Sequence, residues 1–295
     1  MRPWLSAIVR KEASVKISVG AITGQWSRSA AMAFYDAVAL SSANIVYLGV
    51  TNHTPHATLQ RRDCLAVARE LAADGKEVVL SARTAGDVRD AESFRAWIEE
   101  CGLPVEADDA TTLRLLSGRA QLVIGPGVPC ENGTALKQLM ELGARRWVIP
   151  AVCKGEVMQA LSYGGNAGCE IELPVLSHRK FSRWRCRVDA CPYEDWPRHA
   201  MPGCDLDASP EHVAPDWACD IATLRAAGVA ILRVTPRHVR DVALSQTLSE
   251  LVRGEIDAQE AYAQYAAGLD TRVRAAAARH PCRPEAVCQA GAGFR

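Results

Sequence analysis

No stretch of this 295-residue sequence approaches the ~20 consecutive apolar residues that a membrane-spanning helix needs. The first sixteen residues hold only short apolar pieces, broken by Arg10, Lys11 and Glu12, which does not make a secretion signal. A cytoplasmic protein is the expectation. Net charge is also missing: 34 Lys and Arg balance 34 Asp and Glu. A neutral chain offers no general electrostatic attraction for nucleic acid, so nucleic acid is not expected as the main partner. The third glycine of a dinucleotide-binding turn is absent, because Gly20-Ala-Ile-Thr-Gly24 lacks it at the required spacing. Ser177–His178 has no acid partner positioned by the sequence, which leaves serine-hydrolase chemistry without support.

What is present is a regular alternation of short apolar runs and amphipathic helical windows. The runs are Val15–Ile22, Asn44–Gly49, Glu77–Ser81, Pro104–Ala107, Gln121–Gly125, Trp147–Pro150, Glu170–Val175 and Val229–Thr235. Most are continuous rather than strictly alternating, as parallel strands covered on both faces should be. Helices are expected between them over Ser27–Leu40, Arg62–Ala73, Asp87–Cys101, Thr111–Leu116, Gly133–Leu142 and Gly155–Ser162, several closed by a nearby glycine. Eight such units suggest a (β/α)8-type barrel, with an open doubly wound sheet as the competing arrangement. The barrel domain spans 1–253. A helix over Ala258–Ala278 and a tail make 254–295 a C-terminal helical appendage.

One segment breaks the rhythm. After strand seven comes a long insertion, 176–219, rich in Pro, Cys, His, Trp and Arg. Loops of this length in compact domains are usually functional or disordered, and this one follows a strand end where barrels carry their chemistry. Four of the eleven cysteines, Cys186, Cys191, Cys204 and Cys219, fall here with the spacing C-x4-C-x12-C-x14-C. Thiolates are the soft ligands that iron–sulfur clusters and zinc require. The spacing itself matches no standard zinc or ferredoxin pattern, so a cluster, a zinc ion or unliganded thiols all remain open. Cys64, Cys101 and Cys169 read as small core hydrophobes.

Several short segments, in order, resemble the collagenase-like (U-thirty-two) peptidase family. They are Asn44-Ile-Val-Tyr-Leu-Gly49, Gly75-Lys-Glu-Val-Val-Leu-Ser81, Val105-Glu-Ala-Asp108, Arg146-Trp-Val-Ile-Pro150 and Leu232-Arg-Val-Thr-Pro236. Within that family the likeness is to the UbiV-like branch, which acts in oxygen-independent ubiquinone biosynthesis. The resemblance implies a 4Fe-4S cluster on four cysteines and a heterodimer with a homologous UbiU-like subunit. It also implies hydroxylation of a small aromatic substrate without dioxygen. Other members hydroxylate RNA bases, and some are described as peptidases.

The sequence departs from that pattern at the ligands. His53 stands where the family has its first cluster cysteine, and Ala208 where it has its last. Phe181-Ser-Arg-Trp-Arg-Cys186 is a loose version of the motif before the second. Three outcomes follow: a rearranged cluster site using Cys186, Cys191 and Cys204 with Cys219 or His53; a cluster-less, silent partner subunit; or zinc. Histidine is an admissible ligand, since it replaces cysteine in Rieske centres.

Three further residues are candidates for the site. Glu106 lies within the fourth strand, where a buried carboxylate needs a partner such as Arg233, or serves to orient substrate or move a proton. Asn132 is either a polar group of the fifth loop or the cap of the helix that begins at Gly133. Glu106, Asn132 and Arg233 form the expected catalytic set.

Overall fold

Each apolar run pairs with the next, and the last returns to the first. In the computed structural model the described residues are 14–22, 26–51, 59–83, 91–118, 121–130, 132–150, 168–175, 221–226, 228–236 and 238–267. Strands β1 (Lys16–Val19), β2 (Ile45–Thr51), β3 (Glu77–Arg83), β4 (Val105–Ala107), β5 (Leu122–Ile124), β6 (Ala144–Val148), β7 (Glu170–Pro174) and β8 (Val229–Val234) close a barrel in chain order. Every pairing is parallel, including β1 with β8, where Ser18 is level with Arg233. Closure settles the choice between the two α/β arrangements in favour of the (β/α)8 barrel.

The side-chain period of two divides each strand between two cores. Outward residues such as Ile17, Val46, Leu80, Leu122 and Leu232 are buried beneath the helices. Inward residues Ile45, Tyr47, Val79, Val123, Val148 and Ile231 form a separate apolar cluster inside the barrel.

Helix α1 (Arg28–Ala39) shows how local sequence builds the outer layer. Ser27 caps it, its hydroxyl accepting from the Ala30 amide at 3.1 Å, an interaction worth about 1 kcal/mol. Its buried face is Ala31, Phe34, Tyr35 and Val38, the spacing of one helical stripe. Helices α2 (Arg61–Ala73), α3 (Ala91–Cys101), α4 (Ala110–Leu116) and α5 (Gly133–Glu141) continue the plan. Helix α2 ends at Asp74 and Gly75, whose φ of 79° suits the absence of a side chain.

Helix α6 (Ile221–Ala226) precedes β8, and a 3-10 turn (Val239–Ala243) leads into α7 (Leu244–Arg253). Helix α8 (Ala258–Ala267) packs back on α7. Ala261 is fully buried, and Thr247 donates to the Gln264 side chain at 3.1 Å. The early part of the expected C-terminal helix is thus joined to the barrel's helical layer. Residues beyond Ala267, the window Gly155–Ser162 and the insertion 176–219 lie outside the described residues. Among the described residues no helix is long and apolar enough to cross a membrane.

Two strands differ from expectation by three residues at one end: β1 stops at Val19 rather than Ile22, and β6 starts early. The apolar run Trp147–Pro150 becomes β6 at Ala144–Val148, earlier by three residues at its start. Two consecutive arginines, Arg145 and Arg146, mask it in the sequence. Arg145 is exposed, whereas Arg146 is turned inward and buried.

Candidate active site: a charged chain inside the barrel

Barrel interiors are usually filled by branched apolar side chains. Here the inward positions also include Ser18, Tyr47, Glu106, Arg146, Glu172 and Arg233, all buried. A charge out of water is strongly unfavourable unless paired and hydrogen-bonded, so their arrangement is constrained.

Arg233 of β8 forms the upper part. Its Nη1 donates to Glu106 Oε1 at 2.7 Å and to Glu172 Oε1 at 3.4 Å, and its Nη2 donates to Glu106 Oε2 at 3.4 Å. The guanidinium lies over the Tyr47 ring, with Cζ 4.1 Å from the centroid. Burial works to lower the Arg233 pKa, but the Glu106 and Glu172 carboxylates outweigh it and hold the guanidinium above its ordinary range. Arg233 is therefore a fixed cation.

Glu172 is the hub. Besides Arg233, it accepts from the Ser18 hydroxyl at 2.6 Å and the Tyr47 hydroxyl at 2.5 Å. Burial, and then the Glu172 carboxylate, push the Tyr47 phenol well above its ordinary pKa. Tyr47 accordingly stays protonated and donates to Glu172.

Arg146 of β6 forms the lower part. It donates to the Tyr47 oxygen at 3.4 Å, to Glu77 at 2.8 Å and to Glu170 at 2.8 Å and 3.0 Å. Glu77 and Glu170 open their strands, so they stand at the N-terminal rim. Lys16 Nζ, 3.8 Å from Glu170, joins them there. Burial lowers the Arg146 pKa, while the Tyr47 hydroxyl and the carboxylates raise it further, giving a net upward shift. A continuous polar chain thus runs from the N-terminal rim, through Arg146, Tyr47 and Glu172, to Arg233 and Glu106.

The catalytic set expected from sequence divides. Glu106 and Arg233 meet as a buried ion pair. Asn132 is exposed and caps α5, its side-chain oxygen accepting from the Ala135 amide at 2.9 Å. The proposed ligands His53, Cys186, Cys191, Cys204 and Cys219 lie outside the described residues. Among the described residues, no group of three or more His, Cys, Asp or Glu is arranged to hold a metal. Cys64, Cys130 and Cys169 are buried and Cys101 is half-buried.

Sequence reasoning missed Ser18, Tyr47, Arg146 and Glu172. Glu170-Ile-Glu172 does carry a signal, since two carboxylates at a period of two within a buried strand must share one face. Ser18 and Tyr47 carry none, because both fit an ordinary strand.

No protein-family profile matches the chain. Among solved structures it is similar to a U32 peptidase, 13% identical, covering 80% of this chain and 98% of that one, with a TM-score of 0.45. Tryptophan synthase from M. tuberculosis is similar at 12% identity, covering 83% and 91%, TM-score 0.45. Xanthomonas albilineans dihydropteroate synthase follows at 13% identity, covering 81% and 93%, TM-score 0.45. Likenesses of this strength assign no activity. The barrel rests instead on its own closed ladder of parallel strands.

Proposed function

We propose that this chain is a UbiV-like component of an oxygen-independent hydroxylase, working as a heterodimer with a homologous UbiU-like subunit. The observation that carries the reading is a meeting of motifs. Two segments behind the family resemblance, Val105-Glu-Ala-Asp108 and Leu232-Arg-Val-Thr-Pro236, lie on β4 and β8 and are joined across the barrel by Glu106 and Arg233. Chemistry in such barrels belongs to the C-terminal mouth, the end at which β2 and β7 finish. In the sequence His53 follows β2 and four cysteines follow β7; Cys186, Cys191 and Cys204 with Cys219 or His53 would hold a 4Fe-4S cluster, which supplies one-electron chemistry when bound. Glu106 and Arg233 give the mouth a fixed polar floor for a small aromatic substrate, with Tyr47 and Glu172 holding them in place.

Anaerobic purification tests the reading. Brown protein absorbing near ~400 nm, with about four irons per chain, supports it. Alanine at each of Cys186, Cys191, Cys204 and Cys219 should then bleach the absorption. Colourless, iron-free protein that still co-purifies with a related chain replaces it with a silent binding subunit. Zinc in place of iron removes the hydroxylase assignment. RNA that co-purifies and is released steeply by salt moves the substrate to an RNA base.

A further inference from the structure

We propose that Arg233 contacts ligand directly, offering one edge of its guanidinium to a neutral oxygen acceptor at the C-terminal mouth. This rests on the reading of the mouth as the ligand site, but not on the cluster or the hydroxylation.

A guanidinium has five N–H donors in a rigid plane. In Arg233, the Nη1 hydrogens are directed to Glu106 and Glu172, and one Nη2 hydrogen to the second oxygen of Glu106. Nε and the other Nη2 hydrogen remain, and they have no partner among the described residues. These two form the side edge of the fork, the pair that binds an oxygen in bidentate fashion. Arg233 is only 6% exposed. Its Nε is not among the fully buried side-chain nitrogens that lack a partner, so this edge is open to solvent and can be reached by an incoming acceptor.

Gly20 stands against the same edge. A Cβ at residue 20 would come within 2.8 Å of Nε and 3.2 Å of Nη2. These are the two nitrogens with unmade donors. Any side chain at residue 20 would therefore cap the edge. Gly20 follows the last residue of β1, and its own amide is committed to the Val234 carbonyl at 2.8 Å. It thus sits at the C-terminal end of the strand, beside half-buried Ala21 and Ile22.

Charge decides the ligand class. Arg233 already faces two carboxylates, Glu106 and Glu172, both 0% exposed. Arg146 Nε also lies 3.9 Å from Glu172, so the buried charges Glu106, Arg146, Glu172 and Arg233 already balance, and an added anion would leave an uncompensated negative charge in a low-dielectric setting. A carbonyl or amide oxygen accepts the same two hydrogen bonds without adding that charge. The inferred ligand is a small neutral molecule bearing such an oxygen.

Benzamide and benzoate are suitable probes, being alike in shape and differing in charge. Each is titrated into the full chain while the 15Nε–1Hε signal of Arg233, identified by its loss in Arg233→Lys, is followed. Benzamide should shift that signal saturably and at least ten-fold more tightly than benzoate. Gly20→Ala should weaken the benzamide effect at least ten-fold while far-UV circular dichroism stays unchanged. A silent Nε signal with both probes overturns the proposal in the unaltered protein, with no variant needed. Tighter benzoate binding overturns the neutral class. Iron-loaded, hydroxylating protein with a silent Nε signal would sink this edge and leave the hydroxylase reading standing. Iron-free protein with a benzamide-responsive signal would do the reverse.

Discussion

The Arg233 guanidinium is stacked on the Tyr47 ring at 4.1 Å, while the hydroxyl of that ring donates to Glu172, the same carboxylate that Arg233 touches. Tyr47 thus supports the cation through its face and its tip. The two contributions separate by substitution. Tyr47→Phe keeps the face and removes the tip, leaving Glu172 one donor short, at a cost of about 1–3 kcal/mol. Tyr47→Leu also loses the face, and a desolvated cation–π contact adds about 2 kcal/mol. Urea unfolding of both variants measures the difference; equal losses would show that the stacking contributes nothing.

Removal of the cation itself should be more damaging. Arg233→Met leaves Glu106 and Glu172 buried without it, and breaking such a pair costs about 3–5 kcal/mol. Adding Glu106→Gln to Arg233→Met should recover part of that loss, since one stranded carboxylate then disappears. A double-mutant cycle in denaturant reads the coupling, expected at about 0.5–3 kcal/mol. Strict additivity would mean that the two side chains do not act as a pair.

A second ion pair, on the helical layer, predicts a pH effect. Asp63 of α2 accepts from Arg28 Nη2 at 2.8 Å and Nε at 3.0 Å, and from the Gln60 amide at 3.2 Å. The Arg28 hydrogen bonds, chiefly, lower the Asp63 carboxyl to about 2. An unfolded aspartate titrates near ~3.9. A carboxyl lowered on folding contributes stability that is present above its unfolded pKa and is lost as pH falls through the folded one. The Asp63 share should therefore disappear between about pH 4 and pH 2. In Arg28→Ala the carboxyl 13C midpoint of Asp63 should move up towards the unfolded value, and a midpoint that stays near 2 would assign the shift elsewhere.

The buried thiols should be inert. Burial pushes Cys64 and Cys169 up to about 12, so almost none of either is thiolate at neutral pH. Iodoacetamide applied to native protein, followed by mass spectrometry, should leave both unmodified, and labelling should appear only in denaturant. Rapid native labelling of either would show that its surroundings open in solution.

The frame of the barrel was legible because its strands advertise burial. All eight apolar runs became strands, most within a residue or two at each end. At β6, where the start moved, charged residues sat inside the strand and broke the run. The same fact concealed most of the site. Glu106 stood out because a single carboxylate interrupts an otherwise apolar strand, and Arg233 because it lies in a strand of similar character. Arg146 was hidden beside exposed Arg145. Tyr47 and Ser18 both donate to Glu172, 125 and 154 residues away in the chain, a proximity that closure of the barrel creates. Asn132 was legible in only one of its two senses, as a cap.

The interior pairs also bear on how the barrel can be inherited. Glu106 and Arg233 come from opposite strands and each is costly inside without the other, whereas Glu172 keeps Ser18 and Tyr47 as donors. Drift at one position exposes a carrier to the full cost of an orphaned charge. Neutral paths through sequence space therefore favour changing Glu106 and Arg233 together, and the pair behaves as a single heritable character whose halves lie 127 residues apart in the chain.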